Sequence, residues 1–175
     1  TANQAVNPFD SLTTVDLVTD SADGGATSHA VYKNANLAGQ VSGATYTVSC
    51  YAKAGTKSWI ALFGNGGIGT TGAYFNLGTG AVGTIVGAAT ATIEAWGTGY
   101  RCTLTFVATT GTVSGAYIAN GDGLVSYTGA GTGNVLLSNL QIVQANWSGD
   151  YVQTLNSPYN IGGLRNKVSG RSAIS

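Results

Sequence analysis

Residues 44–54 read A-T-Y-T-V-S-C-Y-A-K-A, a run whose side chains alternate with period two. Tyr46, Val48, Cys50 and Ala52 fall on one face, and Thr47, Ser49, Tyr51 and Lys53 on the other. A half-buried strand of an antiparallel sheet has this pattern, because successive side chains point to opposite faces. Residues 100–107 repeat it, with Tyr100, Cys102, Leu104 and Phe106 opposite Arg101, Thr103 and Thr105. Residues 135–143 place Leu136, Leu140 and Ile142 on one side and Asn139 and Gln141 on the other. Glycine-rich segments at 64–67, 78–80, 97–99, 121–123 and 129–133 separate such runs, and glycine supplies the positive φ that hairpins need. The spacing predicts strands near 29–34, 44–54, 58–63, 72–77, 90–95, 99–108, 113–120 and 135–143, with a short one near 151–154. Short strands with a turn about every ten residues, and no helical period, predict an all-β chain. The expected architecture is an antiparallel β-sandwich of jelly-roll type.

Composition narrows the function classes. The chain has 175 residues, enough for one domain with a core of its own. Charged residues make up 8%, against roughly 25% in an average soluble protein, and 43% are apolar, which is not the composition of a disordered tail. Seven basic and seven acidic side chains leave no electrostatic footprint for nucleic acid. No apolar run is long enough for a transmembrane span or a signal-peptide core, so no membrane insertion is expected. The start at Thr1 and the lack of methionine suggest a processed chain or an excised fragment.

Charge also marks a boundary. Residues 1–156 carry four Lys+Arg and seven Asp+Glu, whereas 157–175 carry Arg165, Lys167 and Arg171 and no acid. We therefore divide the chain into a sandwich domain, 1–156, and a basic C-terminal arm or linker, 157–175. A linker would explain the glycines; an arm docking on a polar or acidic partner would explain the apolar residues Ile161, Leu164, Val168 and Ile174.

The inventory for catalysis is thin. One histidine, His29, one glutamate, Glu94, and six aspartates offer no paired-carboxylate pattern, and no Gly-x-Ser-x-Gly elbow is present. A non-enzymatic chain without a cofactor is expected. Sugar sites in β-sandwiches combine aromatic rings with amide and guanidinium donors. The outward faces of the expected strands offer Tyr51, Tyr74, Asn76 and Arg101, with Trp59 or Trp96 according to the pleat; if their strands are neighbours in one sheet, they line one face. Core or edge packing is the competing reading for Trp59, Trp96 and Trp147. Asp16, Asp20 and Asp23, beside Gly24, are weak calcium candidates without an Asp-x-Asp-x-Asp-Gly loop, and solvated turn carboxylates explain them as well. Cys50 and Cys102 are either buried thiols or, if their strands adjoin, a disulfide; their spacing fits no zinc site.

Five segments carry a family likeness: Asn7-Pro-Phe-Asp10, Tyr46-Thr-Val-Ser-Cys-Tyr-Ala-Lys-Ala-Gly55, Tyr74-Phe-Asn-Leu-Gly-Thr-Gly80, Gly97-Thr-Gly-Tyr-Arg-Cys102, and Leu140-Gln-Ile-Val-Gln144 followed by Asp150-Tyr-Val-Gln-Thr154. In this order, over roughly 5–155, they resemble the jelly-roll, carbohydrate-binding-module-like domains of tailed-phage virion proteins such as tail fibres, tailspikes and capsid decorations. The final strand lacks the glutamate, and the ending the proline, that members of the family often carry. The resemblance implies a virion structural protein at the particle surface, a capsid decoration or fibre subunit. It implies other virion proteins as partners, a homo-oligomer and a cell-surface glycan as ligand. A carbohydrate-binding module from a secreted glycan-active enzyme is the alternative expectation.

Overall fold

A computed structural model of the chain describes residues 5–6, 13–32, 41–66, 68–109 and 115–149. Among them are twelve strands and no helix. In chain order the strands are β1 (Ala5–Val6), β2 (Thr13–Thr19), β3 (Thr27–Tyr32), β4 (Thr45–Ala54), β5 (Trp59–Gly64) and β6 (Thr71–Asn76). They continue as β7 (Ala81–Val86), β8 (Ala89–Trp96), β9 (Gly99–Val107), β10 (Gly115–Ala119), β11 (Ser126–Tyr127) and β12 (Asn134–Val143). One sheet has the order β1-β2-β12-β4-β9-β8 and the other β11-β3-β10-β5-β6-β7. The pairings are antiparallel, and the two sheets pack face to face as a β-sandwich.

The alternation read from the sequence builds the layer between the sheets. Val48, Cys50, Ala52, Cys102, Leu104 and Phe106 from β4 and β9 meet Ile60, Leu62, Ala73, Phe75, Ala116 and Ile118 from β5, β6 and β10. Burying such side chains removes apolar area from water at about 25 cal/mol per Å², the main term that holds the sheets together. The cysteines belong to this layer: Cys50 and Cys102 are direct partners across β4 and β9, and both thiols are free. The condition set by the sequence, that their strands adjoin, is met.

Two local features depart from simple alternation. In β12 the pairing with β4 shifts between Ser138 and Gln141, where Asn139 takes a left-handed φ of 55°. The extra residue resets the pleat. Val135 and Leu137 therefore point inward before the bulge and Leu140 and Ile142 after it, while Leu136 pairs with the outward Lys53. The expectation that Leu136 shares a face with Leu140 is thereby corrected. In β4, as in β5, β6 and β10, both faces are buried, so Thr47, Ser49 and Tyr51 are covered although the chemistry of two of them suits a solvated face.

Strands β2 and β7 were not expected from the sequence. In β2 the apolar Val15 and Leu17 lie on the face opposite Val18, and Asp16 interrupts the run, so no alternation is visible. β7 is an edge strand of Ala, Val, Gly, Thr and Ile with a glycine at its centre, and reads like the glycine-rich turns around it. Its Gly83 has a packing reason: a Cβ there would come within 2.7 Å of the Trp59 ring and 2.5 Å of the Asp122 carboxylate. The strand expected at 151–154 and the arm at 157–175, with Ile161, Leu164, Arg165, Lys167 and Arg171, lie outside the described residues.

Candidate functional site

The six residues predicted to bind glycan divide between the two outer faces. Tyr51, Trp96 and Arg101 stand on β4, β8 and β9 of one sheet, and Trp59, Tyr74 and Asn76 on β5 and β6 of the other. A single patch of all six does not form, because β4–β9–β8 and β5–β6 are on opposite sides of the core.

The first group is brought together, with an addition. After β12 the chain turns back over the outward face of β4 and β9. Thr47 Oγ1 donates to the Ala145 carbonyl at 2.8 Å, Gln141 Nε2 to the Ser148 carbonyl at 3.0 Å, and the Arg101 guanidinium to the Gly149 carbonyl. These bonds hold residues 145–149 as a strap across a polar sheet face, and they explain how Thr47 and Ser49 are buried without being apolar. Arg101 also lies over the Trp96 ring, 5.9 Å from its centroid, and pairs across the strands with Glu94. On the strap, Trp147 is 64% exposed, and its ring would lie 3.0 Å from a Cβ on Gly149. Tyr51 is only 2% exposed, and its hydroxyl would meet a Cβ on Gly99 at 2.7 Å. Tyr51 is thus a floor for this corner and not a contact surface. The corner presents an exposed indole, a second half-buried indole, a guanidinium and a carboxylate.

The second group is packed away. Tyr74 is 4% exposed and meets Phe63 edge-on at 5.8 Å, and Phe63 meets Tyr117 at 5.3 Å in the same way. Trp59 packs against this cluster. Residues 120–125 lie over it, with Asp122 accepting hydrogen bonds from the Thr84 backbone N–H at 2.8 Å and its hydroxyl at 3.1 Å. Burial first, and the nearby Asp122 carboxylate second, push the Tyr74 phenol above its ordinary range. Asn76 caps the following turn, its Oδ1 accepting from Gly78 N–H at 2.9 Å and Thr79 N–H at 3.2 Å. Tyr74, expected on an outward face, is buried because a loop supplies a second roof, and Trp59 packs as its competing reading had it.

A polar cleft of about 290 Å³ opens at one end of the sandwich, lined by Asp20, Thr56, Lys57, Thr128, Thr132 and Gly133. Its charged groups are engaged internally. Asp20 Oδ1 accepts from Gly133 N–H at 2.9 Å, and the Lys57 ammonium donates to Asn120 and sits 4.8 Å above the Tyr127 ring. Beside it, His29 Nδ1 accepts from Ser21 N–H at 3.3 Å, while Nε2 faces the Tyr127 carbonyl at 3.3 Å and Asp23 at 3.5 Å. This set fits the neutral tautomer protonated on Nε2. The Ser21 hydroxyl lies 3.3 Å from Nδ1 and donates to Asp23 at 3.1 Å, so its proton is directed at a carboxylate. Of the three calcium candidates, Asp16 is exposed on β2, Asp20 is held by Gly133, and Asp23 faces His29. Among the described residues no three His, Cys, Asp or Glu side chains are arranged to hold a metal ion.

The sequence reading missed Trp147 as a contact residue. The signal was present: it follows the last long strand and stands among Asn146, Ser148 and Gly149, a polar setting for an indole. No family model matches this chain, and no curated protein matches it.

Proposed function

We propose that this chain is a non-enzymatic virion structural protein of a tailed phage, a capsid decoration or fibre subunit that self-associates at the particle surface and binds a cell-surface glycan. The observation that carries the binding part is the corner of Trp147, Trp96, Arg101 and Glu94. An exposed indole stacks on the C–H face of a sugar ring, and a fixed guanidinium and carboxylate select hydroxyls. The segment likeness to phage virion domains supports the location. The passage of the chain between sheets at β2–β3, β3–β4, β4–β5, β7–β8, β9–β10 and β11–β12 supports the jelly-roll type. In this reading other virion proteins hold the subunit, the arm over 157–175 anchors it, and weak sites gain strength through the number of copies. The same corner favours the second reading, a carbohydrate-binding module of a secreted enzyme, equally well.

One measurement separates the readings and a second tests the corner that both share. Mass photometry of the chain with and without 157–175 should give a stable oligomer that is lost on truncation; a monomer in both forms removes intrinsic self-assembly and favours the module. A glycan array should return a saccharide whose affinity drops about tenfold or more in Trp147→Ala, the equivalent of one stacking contact of about 1.4 kcal/mol. No bound saccharide, or affinity unchanged in both Trp147→Ala and Arg101→Ala, overturns the assignment of the corner.

A further inference from the structure

We propose that Cys50 and Cys102 are the two halves of a cross-strand disulfide that closes while the chain folds in a medium containing a low-molecular-weight disulfide, and that the finished sandwich then protects. The two residues are direct partners in the register of β4 and β9, and both point into the layer between the sheets. Opposed residues of an antiparallel pair have Cα atoms about 4.5 or about 5.5 Å apart, depending on the pair type. Both spacings fall inside the roughly 4.4–6.8 Å range that disulfides span. The two thiols are close enough for Cys50 to act on the Cys102 thiol. They are the only cysteines in the sequence, so an intramolecular bond has one connectivity.

Burial decides when the bond can form. Cys50 is 1% exposed and Cys102 0%, which denies a disulfide reagent access to either sulfur in the folded state. Burial, and then the neighbouring Cys50, push the Cys102 thiol well above the ordinary range, so the folded protein holds little thiolate there to attack. In the unfolded or partly folded chain neither restriction applies. One cysteine thiolate attacks oxidised glutathione and releases one glutathione thiolate. The other cysteine then attacks the mixed disulfide, forms the Sγ–Sγ bond and releases the second. Two thiol protons are lost, two electrons pass to the glutathione, and one oxidised molecule becomes two reduced ones. The redox state is therefore fixed at folding and retained afterwards. A chain folded in a reducing compartment keeps its thiols, and one folded in an oxidising compartment keeps its bond.

The test uses the full chain, unfolded and refolded in a buffer of oxidised and reduced glutathione or in a reducing buffer. After oxidative refolding we expect a monomeric chain with native-like circular dichroism. Its mass should be lower by two hydrogens, and it should show no titratable thiol in denaturant. Closing a loop of about 50 residues should also raise its thermal midpoint by roughly 10 °C over the reduced form. The natively folded reduced protein, placed in the same buffer, should keep both thiols over times in which the refolding chain loses them. Oxidatively refolded protein that retains two thiols, carries glutathione, cross-links between chains, or folds only under reduction overturns the proposal. Rapid oxidation of the folded protein overturns the claim that the redox state is fixed at folding.

Discussion

Tyr127 shows how a single buried residue links the fold to pH. Its ring packs 4.6 Å from His29 and beneath Lys57, and its hydroxyl has no partner of proper hydrogen-bond geometry, although the Asp20 carboxylate lies close enough to act on it. Burial first, then Asp20 and Asp23, push the phenol up to about 12. An unfolded tyrosine titrates near pH 10, so above that pH the unfolded chain releases its proton before the folded one does. The neutral phenol therefore contributes stability that is fully present below about pH 10 and is lost as pH rises toward 12. Comparing urea unfolding of the wild type and Tyr127→Phe from pH 8 to 12, the stability difference should move in favour of the phenylalanine variant only above about pH 10. A difference that is flat with pH would show that the phenol is not held in this way. None of this was legible beforehand, since Tyr127 follows Ser126 in a stretch that reads as a loop. Lys57 and Asp20, in contrast, carried a signal in a chain where only 8% of residues are charged.

Among the elements, β12 and the strap after it carry most of what the periodicity did not. The bulge at Asn139 requires a positive φ, which asparagine tolerates and β-branched residues resist. Asn139→Val should destabilise the protein by about 1–3 kcal/mol, whereas Asn139→Gly should stay within about 1 kcal/mol, as measured by denaturant unfolding. Equal effects of the two would mean that the side chain, and not the backbone, matters there. The strap makes a second prediction at this scale. Thr47→Val keeps the shape of the β4 face but removes the donor to the Ala145 carbonyl and the hydroxyl partner of Thr105 on β9, at a cost of about 1–2 kcal/mol. The loss should appear as faster amide exchange over 145–149, with little change in β9. Strands with one buried face, such as β9, were readable as alternation. β4 was readable as a strand in the same way, but the burial of its second face was not, because nothing local announces a second cover. β2 was not legible because its apolar residues fall on both faces and the exposed Asp16 breaks the run.

At the scale of the molecule, the last of the described strands is not at an edge. β12 lies between β2 and β4, so the sheet cannot close until residues 134–143 return to pair with 13–19 and 45–54. Pairings of such sequence separation make folding slow, in the range of milliseconds to seconds. A chain ending at residue 133 should show no cooperative thermal transition by near-ultraviolet circular dichroism, because β2 and β4 are left as unpaired edges around a gap. A cooperative transition in that chain would show that the two sheets are independently stable.

The sequence by itself determined the class of fold: period-two runs and glycine turns are local properties, and they lead to a β-sandwich whatever the strand order. It also determined which residue types were available for binding. Only the tertiary structure decided which of them meet. It put Trp59 and Tyr74 behind a loop on one side, set Arg101 over Trp96 and against the strap that carries Trp147 on the other, and placed Cys50 directly opposite Cys102. The physical reason is that strand order and register are fixed by long-range pairing and by the loops that cover a face, and both depend on residues far apart in the chain.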